Sequence, residues 1–367
     1  MKKAKVIKIM KISLISLLGI ILALGITGYI ILHTYINKMN LIKDSKAADM
    51  EGNDITVLME ADLEQIDEAI QEASSDSMDS PQEDIEALEQ AIQKNTVESS
   101  NETKASKDVY NILLIGADSR EAGDRGRSDA MILLSINEKT KQIILTSILR
   151  DIYLKIPGYK NNRINAAYSY GGANLLMKTI KENFKIEIDK YVSIDFYAFI
   201  DAVDSMNGVE LEITEKDIPI INYYIQEINR HNGVDESEDL LIKSGSYLFN
   251  GKQTLGFVRN RYNGTDFKRT ERQRVVLQKM FHKIKDLKLN QIKQLLDKVL
   301  PRVTTNLSEK KIISLILSLP AYKNYEIVQW NIPMEGTFKF LTIDRMSVIQ
   351  IDFEANLEEL HQKVYGD

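Results

Sequence analysis

The chain has 367 residues, of which 44% are hydrophobic and 27% are charged, as in ordinary globular proteins. It has no cysteine, which excludes disulfides, thiolate metal sites and a cysteine nucleophile. Its four histidines lack the spacing of a zinc hydrolase, and the sequence has no Walker A, GxGxxG or GxSxG motif. The sequence therefore does not support a zinc hydrolase, a nucleotide-binding P-loop or a Rossmann turn.

Residues 12–37 predict a membrane anchor, because they are mostly apolar and contain no Lys, Arg, Asp or Glu. A helix needs roughly 20 apolar residues to cross the hydrocarbon layer. A cleaved signal peptide is the weaker alternative, since its apolar core is usually about 7–15 residues long. Five lysines precede the span and three follow it. The positive-inside rule then predicts a single-pass protein of the cell membrane, with a cytoplasmic N-terminus and the rest of the chain outside.

A strongly acidic segment follows the predicted anchor. Residues 51–103 contain sixteen acidic residues and one lysine, so this segment carries −15 and the rest of the chain +9. Apolar residues recur at helical spacing over 55–73 and 85–92, and a polar run over 95–107 indicates a linker. We expect three parts: a tail and anchor (1–37), an acidic helical stalk and linker acting as a solvated spacer (38–107), and a folded domain (108–367). A binding role for the acidic segment is the alternative.

The arginines are confined to the predicted domain. All 13 lie at or beyond position 120, in a chain that has 34 lysines. The planar guanidinium of arginine suits two-point binding of phosphate or carboxylate oxygens. Clustered arginines in a lysine-rich chain therefore predict an oxyanion site, although surface salt bridging is an equal alternative for any one of them.

The first arginine cluster lies among predicted strands. Three apolar runs suit buried strands: 109–115, 130–136 and 142–149. Asp118 follows the first run and Arg150 the third, and ligands of α/β sheets gather at the carboxyl ends of strands. Asp118 and Asp129 flank a glycine-rich loop and could share Mg²⁺, which takes one or two carboxylates and completes its shell with water and phosphate. Ordinary turn chemistry is the alternative for these aspartates.

The second cluster places five arginines within residues 259–274. Residues 250–261 predict a short helix or a helix-to-strand passage. A longer helix is predicted to follow, with Thr270 and Gln273 as a capping box. Arg269 and Gln273, four residues apart, would point the same way at a helix N-terminus, where anions are favoured.

Seven blocks in order resemble the LytR-CpsA-Psr family of bacterial envelope proteins over about residues 108–367. The blocks are NILLIGADSR (111–120), GRSDAMILLSIN (126–137), SILRD (147–151), RINAAYSYGG (163–172), DAVDSMNGVEL (201–211), NGKQTLGFVRNR (250–261) and DFKRTERQ (266–273). The resemblance implies an extracytoplasmic three-layer α/β/α domain with a mixed central sheet. It also implies transfer of a glycopolymer, such as teichoic acid or capsule, from a polyprenyl pyrophosphate carrier to peptidoglycan.

The resemblance also implies roles for individual residues. Asp118 and Asp129 would hold Mg²⁺ or Mn²⁺, and Arg150 and Asp266 would be catalytic, Asp266 as a general base or as a residue that orients an arginine. The expected pyrophosphate-binding residues are Arg127, Arg150, Arg259, Arg261, Arg269 and Gln273. The candidate liners of a groove for the prenyl tail are Ile194, Phe196, Phe199, Val203 and Phe257, although ordinary core packing is the favoured interpretation for each. The sequence departs from the family pattern at Leu149 and Asn207, which affects backbone stiffness rather than site chemistry.

Two other functions stay open at this point. One is a polyprenyl-pyrophosphate hydrolase that uses the same site and passes the phosphate to water. The other is a non-catalytic regulator or scaffold of wall assembly. Nucleic acid is not an expected partner, because the basic domain is predicted to lie outside the cytoplasm.

Overall fold

The computed structural model of the protein describes most of the predicted domain and part of the region before it. The described residues are 28, 30–42, 78–97, 103–117, 128–260, 266–284, 287–322 and 324–366. Among these residues, no helix has the length and hydropathy that a bilayer crossing requires. Most of the predicted anchor, residues 12–27, lies outside the described part of the chain.

Thirteen strands and nine α-helices have defined bounds in the described residues, and the helical residues 30–36 and a 3₁₀ helix at Leu300–Arg302 add to them. The strands are β1 Asn40–Leu41, β2 Val109–Ala117, β3 Ser128–Asn137, β4 Gln142–Ile148, β5 Tyr153–Leu154, β6 Asn162–Arg163, β7 Tyr191–Ile194, β8 Val209–Ile213, β9 Gly245–Phe249, β10 Val303–Thr305, β11 Glu326–Ile332, β12 Phe338–Ile343 and β13 Met346–Ile351. The helices are α1 Gln82–Val97, α2 Ala166–Phe184, α3 Phe196–Ser205, α4 Ile218–His231, α5 Gly251–Arg259, α6 Asp266–Ile284, α7 Leu289–Val299, α8 Glu309–Tyr322 and α9 Phe353–Tyr365.

A seven-stranded mixed sheet forms the centre, in the order β1-β10-β7-β2-β3-β4-β11. The pairs β1–β10, β7–β2 and β4–β11 are parallel, and the other three pairs are antiparallel. The predicted strands at 109–115, 130–136 and 142–149 correspond to β2, β3 and β4. Their runs are continuously apolar because both faces of the sheet are covered.

The first face of the sheet carries the larger core. Odd-numbered residues of β2, such as Leu113 and Ile115, pack there with α2, α9 and the β12–β13 hairpin. Helix α1 also belongs to this core: Leu88 and Ile92 are buried in it, and Asn95 Nδ2 donates to the Asn183 carbonyl at 3.0 Å. The helical spacing over 85–92 therefore predicted a real helix. Its apolar stripe is buried against the domain, whereas we expected a solvated spacer.

The second face is covered by two groups of helices. Helix α8 packs over one end of the sheet, where Leu315 and Tyr322 meet Tyr110, Ile136 and Ile143. The other end faces α3, α5 and α6, which form a second core together with α4, α7 and the β8–β9 pair. Helices on both faces of one mixed sheet give the three-layer arrangement that we expected.

The described residues nearest the predicted anchor are attached to the sheet edge. Residues 30–36 are helical, and His33 Nδ1 lies 2.5 Å from Glu309 Oε1 at the start of α8. Lys38 Nζ lies 2.5 Å from Asp297 Oδ1 of α7. Strand β1 then pairs in parallel with β10, with Asn40 opposite Thr304. The chain is thus held to the domain immediately after the predicted membrane span.

Candidate active site

A cavity of about 210 Å³ lies between the second face of the sheet and helices α3, α5 and α6. Most of its wall is apolar and comes from Leu114, Ile115, Ala130, Ile132, Val192, Ile194, Phe196, Phe199, Leu255, Val258 and Leu277. Its polar lining consists of Asp129, Asp195, Tyr224, Arg259, Arg269 and Gln273. A mostly apolar chamber of this kind, with a few convergent polar groups, is typical of a ligand site.

The strand register explains why several polar groups meet at one end of the cavity. Strands β2 and β7 are parallel, with Gly116 opposite Ile194, so their carboxyl ends coincide. Asp195 follows β7 directly, and Asp129 lies at the start of β3, beside the end of its antiparallel neighbour β2. The carboxyl ends of β2 and β7 and the start of β3 therefore bring Asp129 and Asp195 to the same end of the cavity.

Asp129 and Arg150 form a close ion pair at the cavity edge. Arg150 Nη1 donates to Asp129 Oδ1 at 2.7 Å, because the end of β4 lies beside the start of β3. Arg150 Nε also lies 3.6 Å from Asp151 Oδ2, and Asp151 Oδ1 lies 3.5 Å from Arg163 Nε. All four side chains are largely buried. The network holds the Arg150 guanidinium in place beside a carboxylate that lines the cavity.

Two aromatic rings and a carboxylate restrain Arg259. Its guanidinium lies 4.6 Å from the ring centre of Phe196 and 4.5 Å from that of Tyr224. Its Nη1 lies 3.6 Å from Glu227 Oε2. Contact with aromatic faces suits the weakly hydrated guanidinium and fixes its plane. Arg259 is therefore pre-oriented toward the cavity that it lines.

The helix that carries Arg259 is short and well capped. Asn250 accepts from the Gln253 amide at 3.0 Å, and the Gln253 side chain accepts from the Asn250 amide at 3.0 Å. This capping box starts α5. The helix ends at Arg259, where Asn260 turns to extended backbone. The predicted short helix over 250–261 is confirmed within the described residues.

Arg269 and Gln273 both line the cavity from α6, as their four-residue spacing predicts. Arg269 is only 2% exposed. The predicted capping box is wrong, because α6 begins at Asp266 and the hydroxyl of Thr270 donates to the Phe267 carbonyl at 2.9 Å. The extra turn brings Phe267 onto Phe338, with their ring centres 4.7 Å apart, and the apolar contact favours the earlier start.

The second arginine cluster divides into two roles. Arg272 does not line the cavity: its Nη1 donates to the Asn260 carbonyl at 2.8 Å, and its Nη2 lies 3.6 Å from Asp217. Asp217 also accepts from Asn260 Nδ2 at 2.8 Å and from the Thr214 hydroxyl at 2.6 Å. Arg272 thus braces the end of α5 against α4. The sequence cluster alone did not separate this brace from the cavity arginines.

Some predicted residues lie beyond what the structure describes. Asp118, Arg127 and Arg261 are outside the described residues, and Asp266 is described only as the first residue of α6. Within the described part of the chain, no group of three or more His, Asp or Glu side chains could hold a metal ion. The metal site, the full arginine set and the role of Asp266 therefore stay predictions.

Three of the five candidate groove residues line the cavity, namely Ile194, Phe196 and Phe199. Val203 and Phe257 do not, because they are buried in the helical core, which is the ordinary packing that the sequence favoured for them. Sequence reasoning also missed Tyr224 and Glu227, since nothing in their local pattern points to Arg259. Asp195 had a signal: it ends a strand and caps α3, accepting from the Ala198 amide at 2.7 Å.

Comparisons with known proteins identify the family of the chain. The LytR_cpsA_psr family matches residues 74–362. The polyisoprenyl-teichoic acid–peptidoglycan teichoic acid transferase TagT of Bacillus subtilis is 31% identical over 241 residues, which cover 64% of this chain and 72% of TagT. Biofilm regulatory protein A of Streptococcus mutans is 33% identical over 225 residues, which cover 56% of this chain and 53% of that protein.

A solved structure of TagT with bound octaprenyl pyrophosphate lipid matches the fold with a TM-score of 0.52 and 26% identity. The match covers 74% of this chain and 95% of that one. The expected mixed α/β fold and the expected enzyme class, a transferase of this type, are confirmed. Because the family match covers residues 74–362, which is most of the chain, the chain belongs to the LytR-CpsA-Psr family. The seven sequence blocks and the mixed sheet agree with this assignment.

Proposed function

We propose that the protein transfers a glycopolymer, such as teichoic acid or capsule, from a polyprenyl pyrophosphate carrier to peptidoglycan. The observation that carries the proposal is the cavity, whose walls are apolar and whose polar lining includes Asp129, Arg259, Arg269 and Gln273. A prenyl pyrophosphate has the same division, with an apolar tail and an anionic head. The relative TagT was solved with octaprenyl pyrophosphate, and its name describes the corresponding transfer.

The apolar wall supplies the affinity for the tail. Each square ångström of apolar surface removed from water contributes roughly 25 cal/mol, without demanding a particular orientation. The wall comes from β2, β3, β7, α3, α5 and α6, so a chain of isoprene units would lie between the sheet and the helices. The polar lining would then set which end of the lipid enters.

The arginines would bind the pyrophosphate and stabilise charge in the transition state. Arg259 and Arg269 line the cavity, and Arg150 is held beside it by Asp129. We include Arg127 and Arg261 in this clamp from the family pattern. Phosphoryl transfer needs little covalent help and much positioning and charge stabilisation, which pre-oriented guanidiniums supply.

A divalent cation fits the donor set at this end of the cavity. Asp129 presents a carboxylate at the cavity wall, and we propose that it holds Mg²⁺ or Mn²⁺ together with Asp118. Mg²⁺ commonly uses one or two carboxylates and takes further ligands from substrate phosphate. When bound, the ion would offset the negative charge of the pyrophosphate.

The transfer step follows from the same arrangement. A hydroxyl oxygen of peptidoglycan attacks the phosphorus that carries the glycan and forms a new P–O bond. The P–O bond to the bridging oxygen breaks, and polyprenyl phosphate leaves with the electron pair. A base takes the hydroxyl proton, and we propose Asp266 for this role or for orienting an arginine. Arg150 would act on the charge that develops on the phosphoryl oxygens.

The proposal includes a membrane location. Residues 12–37 would form a single anchor, with the N-terminus in the cytoplasm and the domain outside. The lipid carrier and the peptidoglycan acceptor are then both within reach of the domain.

Full-length protein supplied with lipid-linked glycan, Mg²⁺ and peptidoglycan tests the proposal. Covalent attachment of glycan to peptidoglycan is expected, and it should fall by roughly 10²-fold or more in Arg150→Ala, as when one charge-stabilising donor is lost. The matched control is Arg230→Ala, because Arg230 is exposed and pairs only at the surface with Glu236 in the described structure. Release of glycan phosphate without attachment would instead indicate a hydrolase. Full attachment in cells by the Arg150→Ala variant would overturn the catalytic role.

A further inference from the structure

The inner side of helix α8 packs against the central sheet of the domain. Leu315 and Tyr322 pack on the second face of the sheet. Lys311 lies on the same side, with its Nζ 3.3 Å from the centre of the Tyr110 ring. These residues follow one another at steps of four and seven, so they mark one stripe along the helix.

The opposite side of α8 is also apolar, and it is exposed at Ile316, Leu317 and Pro320, whereas Ile313 is partly buried. Ile313, Ile316, Leu317 and Pro320 recur at steps of three and four, about half a turn away from Leu315. Leu317 is 73% exposed and Ile316 is 40% exposed. We call these four residues the outer face of α8. Single exposed apolar residues are ordinary, but a contiguous apolar stripe indicates a contact with a membrane or with another protein.

The predicted anchor meets α8 on this same side. Glu309 lies one turn before Ile313 and two turns before Leu317, and so shares the outer face. Its carboxylate is the partner of His33, which lies in the helical segment at the end of the predicted membrane span. In that segment, Ile30 and Ile31 are themselves more than half exposed.

From these contacts we propose that the outer face of α8 lies on the lipid bilayer beside the anchor. The inference rests on the membrane anchoring proposed above. Helix α8 is apolar on its outer side, and it begins where the predicted membrane span meets the domain. Such a helix suits partial insertion into the membrane–water interface, to a depth of roughly 5–10 Å. Exposed Lys310 at its start suits the headgroup region.

This placement orients the whole domain. Helix α8 covers the second face of the sheet. If the outer face of α8 lies on the bilayer, the second face of the sheet is therefore directed toward the membrane. The cavity lies on the same face, between the sheet and α3, α5 and α6. A lipid carrier would therefore approach the cavity from the membrane side without having to pass around the sheet.

The absence of cysteine makes a direct test simple. Single variants Ile316→Cys and Leu317→Cys of the full chain are labelled with an environment-sensitive fluorophore and reconstituted into vesicles that carry nitroxide lipids. The matched controls are Phe340→Cys and Met78→Cys, which are also exposed, at 56% and 93%, but lie away from α8. We expect severalfold stronger quenching by the nitroxide lipids at 316 and 317 than at the controls, together with protection from aqueous iodide.

The outcomes separate this proposal from the anchoring on which it rests. If the protein does not float with the vesicles, the anchor proposal fails and this one fails with it. If the protein floats but position 317 behaves like position 340, only the outer-face proposal is overturned. Protection at 317 that appears only at high protein-to-lipid ratio, without quenching by lipid, would assign the outer face to a second copy of the chain.

Discussion

Replacing Arg259 by alanine removes a guanidinium that the structure holds in a fixed orientation. The side chain lies between the rings of Phe196 and Tyr224, at 4.6 and 4.5 Å, with Glu227 at 3.6 Å. In the proposed complex this guanidinium binds the pyrophosphate of the lipid carrier. The variant should therefore lose affinity for the lipid headgroup while the fold persists, since Glu227 is partly exposed and can regain water.

The expected magnitude follows from the kind of bond that is lost. A hydrogen bond to a charged group contributes about 1.5–3 kcal/mol, and 1.4 kcal/mol is a factor of ten, so binding should weaken by roughly 10- to 150-fold. Arg259→Lys keeps the charge but loses the two-point geometry and most of the ring contact. A loss of about 1–2 kcal/mol, or roughly five- to thirtyfold, is expected for lysine.

The measurement is the dissociation constant for a polyprenyl pyrophosphate, compared with the matching polyprenyl monophosphate. Arg230→Ala, on the exposed side of the neighbouring helix α4, serves as the control and should leave both constants unchanged. Pyrophosphate binding by folded Arg259→Ala at the unaltered affinity would refute the assignment. Equal weakening for a neutral prenyl alcohol would mean that Arg259 shapes the cavity rather than binds the phosphate.

Two further predictions concern stability. Leu88→Ala should lower the free energy of unfolding, measured in urea, by about 2–5 kcal/mol, because Leu88 is fully buried in the main core. The control Gln90→Ala, at an exposed position of the same helix, should change it by less than about 0.5 kcal/mol. Equal effects of the two substitutions would mean that α1 is a solvated spacer after all. Burial lowers the pKa of His361 below its usual 6.5. His361 therefore binds a proton more readily in the unfolded chain than in the folded chain. Stability should therefore fall as the pH drops through about 6.5, and His361→Asn should flatten that dependence in urea titrations at several pH values; an unchanged slope would contradict the assignment.

Three central strands and part of the cavity lining were predictable because the sequence patterns that indicate them are local. Continuous apolar runs predicted β2, β3 and β4, and the step from Arg269 to Gln273 predicted their common direction into the cavity. The start of α6 was mispredicted because Thr270 and Gln273 satisfy a capping pattern that the contact of Phe267 with a distant strand overrides.

Other features depend on contacts between distant parts of the chain. Tyr224 and Glu227 acquire their role only when α4 packs beside Arg259. Leu88 looks like one apolar residue in an acidic, solvated segment until the domain surface that buries it is known. Arg272 and Arg259 share a sequence cluster, and only their partners separate a brace between helices from a cavity residue.

The pairing of β1 with β10 changes what the acidic segment can do mechanically. Residue 41 already lies in the central sheet, and Ser80 exchanges hydrogen bonds with Thr342 on the β12–β13 hairpin. Residues 43–77 thus connect two segments that are both attached to the domain. In the proposed topology they do not stand in series between the membrane and the domain, and their length would not set the height of the site above the bilayer. Lengthening or shortening them would leave the proposed tether, the few residues before β1, unchanged.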